Sequence, residues 1–176
     1  MNTADDHTTH DGRPRLGGRR RTLARLAAVQ ALYQLELAGA SVDSVIGEFI
    51  HHRLGRDGEG DGFGDADPEF FTALVRGAAA RQAELDRLIA AALTPEWPLE
   101  RLESVLRAIL RAGVFELVAC VEVPVPVVIC EYLDIGHAFF GGREPGLVNG
   151  VLDRLARTLR SNAAAEGAGD GGAPSR

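Results

Sequence analysis

The stretch that most constrains the fold is residues 99–121, LERLESVLRAILRAGVFELVACV. Its apolar residues recur at helical spacing, yet they cover more than one stripe of the helix: Leu102, Val105, Leu106, Ile109, Leu110, Val114, Leu117 and Val118. A helix that is apolar over most of its circumference needs neighbours on several sides. This stretch therefore predicts a central helix around which other elements pack.

The rest of the chain predicts helices of the ordinary amphipathic kind. Ser41 or Asp43 can cap one helix, and Asp67-Pro68 is a typical helix start. Residues 123–126, Val-Pro-Val-Pro, have a strand-like composition, but two prolines remove donors and fix φ, so they predict a turn before a new helix. Helices are expected over residues 20–38, 42–54, 68–93, 99–121, 127–140 and 144–160. The fold class is all-α, a compact bundle of six to seven helices.

One domain of ordinary size is expected, flanked by two segments without helical periodicity. Residues 1–18 are polar and predict a disordered basic N-terminal arm, and residues 162–176 predict a disordered tail rich in Ala, Gly and Pro. The folded domain between them covers residues 19–161. Within it, residues 55–66 hold five glycines and four acids and predict a flexible loop.

Charge is distributed unevenly along the chain. The formal net charge is −6, yet residues 13–25 hold six arginines and no acid, while the remainder holds 13 arginines against 25 acids. A compact basic segment on an acidic body indicates a localised contact with a polyanion. On charge alone, a solvated tail is an equal alternative.

Motifs for catalysis are missing from the sequence. It contains no Gly-rich phosphate loop, GxSxG, HExxH or Cys-His cluster, so we expect a protein that is not an enzyme and that has no cofactor and no metal site. Cys120 and Cys130 fit no zinc or redox spacing and are expected as reduced core thiols. No apolar run reaches the roughly 18 residues of a membrane span, and no secretory signal is recognisable, so a cytoplasmic protein is expected.

Two features of the helical segments carry further predictions. Glu103 and Arg107 have the i, i+4 spacing of an ion pair on one exposed helix face. Asn149-Gly150 is unusual inside a helical pattern because both residues are poor helix formers. It indicates either close helix packing or a polar contact with a partner, and spacing alone favours close packing.

Four motifs, taken together, resemble the NusB family of bacterial antitermination factors. The first is AAVQALYQLEL at 27–37, and the second is ESVLRAILRAGVFEL at 103–117. The third is VPVPVVICEYLDIGHAFF at 123–140, and the last is LVNGVLDRLAR at 147–157. They occur in the family's order and cover most of residues 19–160. The resemblance is specific because all four are present.

The resemblance implies a fold of two small helical subdomains and a function without catalysis. It implies that the partner is NusE, which is also a small-subunit ribosomal protein. The heterodimer would bind the boxA element of nascent RNA and act with RNA polymerase in an antitermination complex, notably in ribosomal RNA operons. Whether the free protein forms a homodimer stays open, as does the surface that binds NusE.

The resemblance also implies which residues bind RNA, through charge and base stacking. They are Arg19, Arg20, Arg21 and Arg25 at the start of the first helix, then Gln30 and Tyr33, with Arg143 and Asn149 near the closing helix. Two positions depart from the family pattern. Leu147 stands where the family usually has Phe before Val-Asn-Gly, and Cys130 stands where it favours Asn.

Two other functions fit parts of the pattern. One is the NusB-like RNA-binding domain found at the front of ribosomal RNA cytosine methyltransferases, but this chain has no Gly-rich cofactor loop. The other is a NusB-like protein-interaction module without an antitermination role, whose arginine arm is only solvated. Titration with boxA RNA separates that module from an RNA-binding factor.

Overall fold

The computed structural model describes residues 16–54 and 63–167, and within these ranges it contains seven α-helices, one 3-10 turn and no strand. The helices are α1 Leu16–Ala38, α2 Val42–His52, α3 Pro68–Ala80, α4 Gln82–Ala92, α5 Ser104–Ala119, α6 Val125–Phe139 and α7 Glu144–Gly167. The all-α prediction is confirmed. Predictions for residues 1–15, 55–62 and 168–176 lie outside the described residues.

The helices pack in two groups. The first group is α1, α2 and α3, which contact one another, and the second is α4 to α7, in which α6 and α7 pair and α5 contacts the other three. Helices α1 and α5 join the two groups, because α5 also packs on α1 and α3. The core is therefore continuous through the pair α1–α5.

Helix α5 is the central helix that its composition predicts. Residues 108–116 are buried without interruption, and Ile109, Leu110 and Val114 have no measurable exposure. Gly77 on α3 allows α5 to approach closely, since a Cβ at that position would lie 2.0 Å from Cζ of Phe115. Contact on several sides explains why α5 lacks a polar face in its middle turns.

Helix α1 buries a face of small residues. Two of its large hydrophobic side chains, Tyr33 and Leu37, are exposed at 39% and 61%. The buried hydrophobic positions are mainly alanines with two larger residues: Ala24, Ala27, Ala28, Val29, Ala31 and Leu32. Small side chains let α3 and α5 pack close to the α1 backbone. Helix α1 therefore sits between the two groups with its bulkier side chains at the rim.

Helix starts encoded by local side chains are confirmed. Oγ of Ser41 accepts a hydrogen bond from the backbone N of Ser44 at 3.2 Å, and Oδ1 of Asp67 accepts one from the N of Phe70 at 3.0 Å. Both are N-cap bonds, which satisfy amides that have no partner inside the helix. The Pro-led turn also begins a helix, two residues earlier than expected, at Val125.

Two expected helices are interrupted. The helix predicted over 68–93 breaks at Arg81, whose guanidinium binds Glu84 at 2.7 and 2.8 Å. The helix predicted over 99–121 is a 3-10 turn, Leu99–Arg101, followed by α5. Glu103 therefore precedes the helix, and its predicted pairing with Arg107 is wrong. Arg107 binds Glu36 of α1 instead.

The outer helices are longer than expected. Helix α1 begins at Leu16, within the predicted N-terminal arm, and α7 continues to Gly167, beyond the predicted boundary at residue 161. Cys130 is exposed, so its predicted place in the core is wrong, while Cys120 is half-buried. No helix in the described ranges has the length and apolar character needed to cross a membrane.

Candidate nucleic-acid interface

The first turns of α1 form a cationic end, which we define as Arg19, Arg20 and Arg21. Arg19 and Arg20 are exposed, and Nε of Arg20 donates to the backbone O of Asp65 at 3.3 Å. Arg21 is half-buried, with its guanidinium carbon 4.7 Å from the centroid of the Phe70 ring. The guanidinium groups of Arg20 and Arg21 thus each have one contact near the surface, where they can reach a ligand.

Arg25 differs from the three arginines of the cationic end. It was predicted to bind RNA, but it is only 3% exposed, so the structure places its side chain in the core and not at the surface. Its Nη2 lies 2.5 Å from Oε1 of Glu116, and its Nε lies 3.0 Å from Oε2. Tyr132, fully buried, donates its hydroxyl to the same carboxylate at 2.9 Å. Arg25 belongs to a buried network that joins α1, α5 and α6.

The network shifts the pKa values of its members. Desolvation lowers the pKa of Arg25, but the hydrogen bonds and charge of Glu116 outweigh it, so the pKa lies above its ordinary value. Desolvation, with the nearby charge of Glu116, raises the pKa of Tyr132. Arg25 therefore stays charged and Tyr132 stays protonated at neutral pH.

Gln30 and Tyr33 lie further along α1, in a groove separate from the cationic end. The groove has a volume of about 420 Å³ and is lined by Gln30, Tyr33, Glu103, Ser104, Val105 and Phe139. Fourteen residues of helix separate Arg19 from Tyr33, which is roughly 21 Å at 1.5 Å per residue. Tyr33 and Phe139 are 39% and 42% exposed. We call this surface the α1–α6 groove.

The α1–α6 groove has different chemistry from the cationic end. Two aromatic rings and Val105 supply apolar surface, and the only charged residue among its lining side chains is Glu103. A carboxylate repels phosphate, whereas exposed aromatic side chains in a groove are typical of protein interfaces. The residues of α1 that are predicted to bind RNA and lie at the surface are therefore divided between the cationic end and this groove.

Arg143 and Asn149 lie around the start of α7. Both are exposed, and the guanidinium carbon of Arg143 is 5.9 Å from the centroid of the Trp97 ring. A Cβ at Gly150 would meet no atom within 4 Å, so close packing does not explain Asn149-Gly150. Leu147 is half-buried against the core. The Asn-Gly pair thus presents an open helix face, as a partner contact requires.

Ionic contacts at the other end of α1 are structural. Arg107 and Arg111 of α5 bind Glu36, and Arg111 also binds Asp86 of α4 at 2.7 Å. These residues are less than a third exposed, so the cluster ties α1, α4 and α5 together. Among residues 16–54 and 63–167, no group of three His, Cys, Asp or Glu side chains could hold a metal ion.

Sequence reasoning missed Glu116 and Glu131 as partners of Arg25. The signal was the helical phase of Arg25, which lies four residues before Val29 and seven before Leu32, both of them buried. Residues at these spacings share one helix face. An arginine on a buried face requires a buried carboxylate, and Glu116 lies within the most apolar stretch of the chain.

Comparison with known proteins places the chain in a family. The model of the NusB family matches residues 22–157. The transcription antitermination protein NusB of Brucella ovis is 49% identical over 160 residues, covering 91% of this chain and 93% of that protein. The NusB of Rhizobium rhizogenes is 48% identical over 151 residues, covering 86% and 94%.

Solved structures agree with the sequence comparison. NusB of T. maritima superposes with a TM-score of 0.64 at 29% identity, covering 78% of this chain and 90% of that one. A crystal structure of the antitermination factors NusB and NusE in complex with dsRNA has a matching chain with a TM-score of 0.64 at 26% identity, covering 80% and 98%. The fold, the motifs and these matches lead to one conclusion: the chain belongs to the NusB family of transcription antitermination proteins.

Proposed function

We propose that this protein binds boxA RNA as a heterodimer with a NusE-type ribosomal protein and acts with RNA polymerase in the antitermination of ribosomal RNA operons. The observation that carries the proposal is the cationic end, which concentrates arginines at the start of one helix of an otherwise acidic protein. A family relative has been crystallised with both NusE and dsRNA, which supports the two kinds of partner.

The cationic end is the proposed RNA contact. Arg19 and Arg20 are exposed, and arginine both pairs with phosphates and stacks on bases. Arg21, half-buried beside Phe70, adds its charge to the same surface. Arg25 is left out of the contact because Glu116 neutralises it inside the core. The sequence-derived set of arginines at this end is thereby reduced from four to three.

The α1–α6 groove is the proposed contact for NusE. Its aromatic rings and single carboxylate suit a protein surface better than an RNA backbone. Gln30 and Tyr33, predicted as RNA-binding residues, would then lie at the border between the protein partner and the RNA. Arg143 and Asn149 follow Phe139 of the groove along the chain and are exposed, so we propose them as a secondary RNA contact.

Co-purification with the NusE homologue, with and without a boxA oligonucleotide, tests the proposal. We expect a heterodimer that retains boxA RNA more strongly than a scrambled oligonucleotide of the same length. Tyr33→Ala should weaken NusE capture, because it removes an exposed aromatic ring from the groove. Failure to bind NusE at micromolar concentration would contradict the heterodimer.

A pair of double variants tests the RNA contact separately. Arg19→Ala with Arg20→Ala removes two charges from the cationic end, whereas Arg87→Ala with Arg157→Ala removes two exposed charges from α4 and α7. Net charge falls equally in both double variants. We expect only the first pair to weaken boxA binding strongly, because only Arg19 and Arg20 lie at the proposed RNA contact. Equal loss of affinity in the two double variants would show that overall charge, and not the cationic end, governs binding.

A further inference from the structure

One carboxylate of α6 connects the cationic end to the buried network. Oε1 of Glu131 accepts a hydrogen bond from Oγ1 of Thr22 at 2.9 Å, and Oε2 lies 3.5 Å from Nη1 of Arg25. Oε2 is inaccessible to water and has no hydrogen-bond partner among the described residues. Glu131 thus reaches from an exposed threonine on the first turns of α1 to a buried guanidinium.

Neutralisation of Arg25 does not account for Glu131. Glu116 already binds Arg25 through both carboxylate oxygens, and Tyr132 completes that pair. A second carboxylate leaves one excess negative charge, and its buried oxygen lacks a hydrogen bond, which costs free energy. The other contact of Glu131 is the hydrogen bond that it accepts from Thr22, which links α6 to the start of α1.

Thr22 is placed where it can orient the cationic end. It lies three residues after Arg19, on the same helix face, and its hydroxyl also contacts the backbone O of Gly18. The first turn of a helix has unpaired amides and few neighbours, so its position depends on side-chain contacts of this kind. Thr22 lies in the second turn of α1, and its bond to Glu131 fixes the start of the helix against α6.

We propose that Glu131 is a positioning residue for RNA binding, which holds Thr22 and so presents Arg19 and Arg20 in one orientation. The inference rests on the proposed function, since it concerns the same cationic end. Fixing the turn before RNA arrives reduces the entropy lost on binding. The negative charge of Glu131 acts in the opposite direction, because it lowers the local positive potential.

Substitutions at Glu131 and Thr22 separate the effect of the hydrogen bond between them from the effect of the negative charge of Glu131. Glu131→Ala removes both, and Glu131→Gln keeps an acceptor for Thr22 but removes the charge. Thr22→Val keeps the charge of Glu131 and removes the hydroxyl that bonds Glu131 and contacts the O of Gly18. Asp134→Ala, an exposed carboxylate on the same helix, is the matched control for loss of charge. Binding to a fluorescein-labelled boxA oligonucleotide is measured by anisotropy, and amide exchange is followed over residues 16–25.

If Glu131 acts by holding Thr22 in place, the boxA affinities of the variants should follow a defined order. We expect Glu131→Ala to bind roughly five- to tenfold more weakly and Thr22→Val roughly two- to fourfold more weakly, through lost preorganisation. Glu131→Gln should equal or exceed wild-type affinity, and Asp134→Ala should stay within about twofold. Amide exchange in the first turns of α1 should accelerate only in Glu131→Ala and Thr22→Val.

Three results would overturn the inference. Equally weak binding by Glu131→Gln and Glu131→Ala would exclude the Thr22 bond as the cause. Tighter binding by Glu131→Ala would show that charge alone matters. Unchanged affinity with a lower melting temperature would show a purely structural role. If wild-type protein does not bind RNA, or the Arg19→Ala, Arg20→Ala pair has no effect, the proposed function fails as well.

Discussion

Arg25 and the pair Arg19 and Arg20 share helix α1, yet their surroundings are opposite. Arg25 is 3% exposed and bound to Glu116, whereas Arg19 and Arg20 are exposed. One guanidinium therefore ties α1 to α5, and the others offer positive charge to a ligand. The comparison teaches that the number of arginines in a basic segment is not the number available to a partner.

The largest expected effect comes from the buried side of this comparison. Arg25→Ala leaves the carboxylate of Glu116, which has no measurable exposure, without its cation. Breaking a buried ion pair in this way costs about 3–5 kcal/mol. We expect a loss of that size in urea denaturation, whereas Arg19→Ala should change stability by no more than about 0.5 kcal/mol. Similar losses in the two variants would invalidate the comparison.

A second prediction extends the comparison to two glycines. Gly77→Ala would place a Cβ 2.0 Å from a ring carbon of Phe115, so α3 and α5 must shift, at a cost of about 1–3 kcal/mol. Gly150→Ala meets no atom within 4 Å and should stabilise α7 by up to about 1 kcal/mol. Thermal unfolding of both variants checks the pair, and stabilisation by Gly77→Ala would contradict the close contact.

A third, smaller effect depends on pH. Desolvation raises the pKa of Glu36, but hydrogen bonds from Arg107 and Ser104 and the charge of Arg107 outweigh it, so the pKa lies below 4.5. A carboxylate with a lowered pKa stabilises the fold above its unfolded-state pKa, and that contribution is lost as pH falls through the folded-state pKa.

Glu36→Gln tests this pH dependence. Wild-type protein should be more stable than the variant at pH 7, and the difference should narrow as pH falls below 4.5. Glu100→Gln, at an exposed position, is the control and should show little difference at any pH. A wild-type advantage that stays constant down to pH 3 would rule out the ion pairs of Glu36 as its source.

The smallest expected effect concerns the secondary RNA contact. Arg143→Ala removes one exposed charge and should weaken boxA binding roughly two- to threefold, with a salt dependence lower by about 0.7 for one phosphate contact on single-stranded RNA. Stability should not change, because the side chain is exposed and its guanidinium carbon lies 5.9 Å from the centroid of the Trp97 ring. Arg101→Ala is the control, and an equal effect there would remove Arg143 from the proposed contact.

Local signals predicted much of this fold. Ser41 and Asp67-Pro68 start helices through contacts within three residues, and the apolar circumference of α5 required a central position. The break at Arg81 was missed because AAARQAEL contains neither Gly nor Pro, so no helix-breaking residue marks the end of α3. Arg107 was misassigned because its partner, Glu36, is 71 residues away in the sequence.

The candidate interface was predicted less well than the fold. The family motifs placed the arginines at the start of α1, but whether each guanidinium faces solvent depends on α5 and α6, which supply Glu116 and Glu131. The groove around Tyr33 could not be predicted from the sequence, since it requires the start of α5 and the end of α6 to meet α1. Interfaces made by distant segments leave no local pattern.

The most direct test of the division between Arg25 and the cationic end is the salt dependence of boxA binding in two variants. Arg25→Lys keeps the charge but loses the forked contact with Glu116, so stability should fall by about 1.5–3 kcal/mol. The slope of log affinity against log salt should stay at the wild-type value. Arg19→Ala with Arg20→Ala should reduce that slope by about 1.4 for two phosphate contacts and leave stability unchanged. A reduced slope in Arg25→Lys, with an unchanged slope in the double variant, would contradict the account.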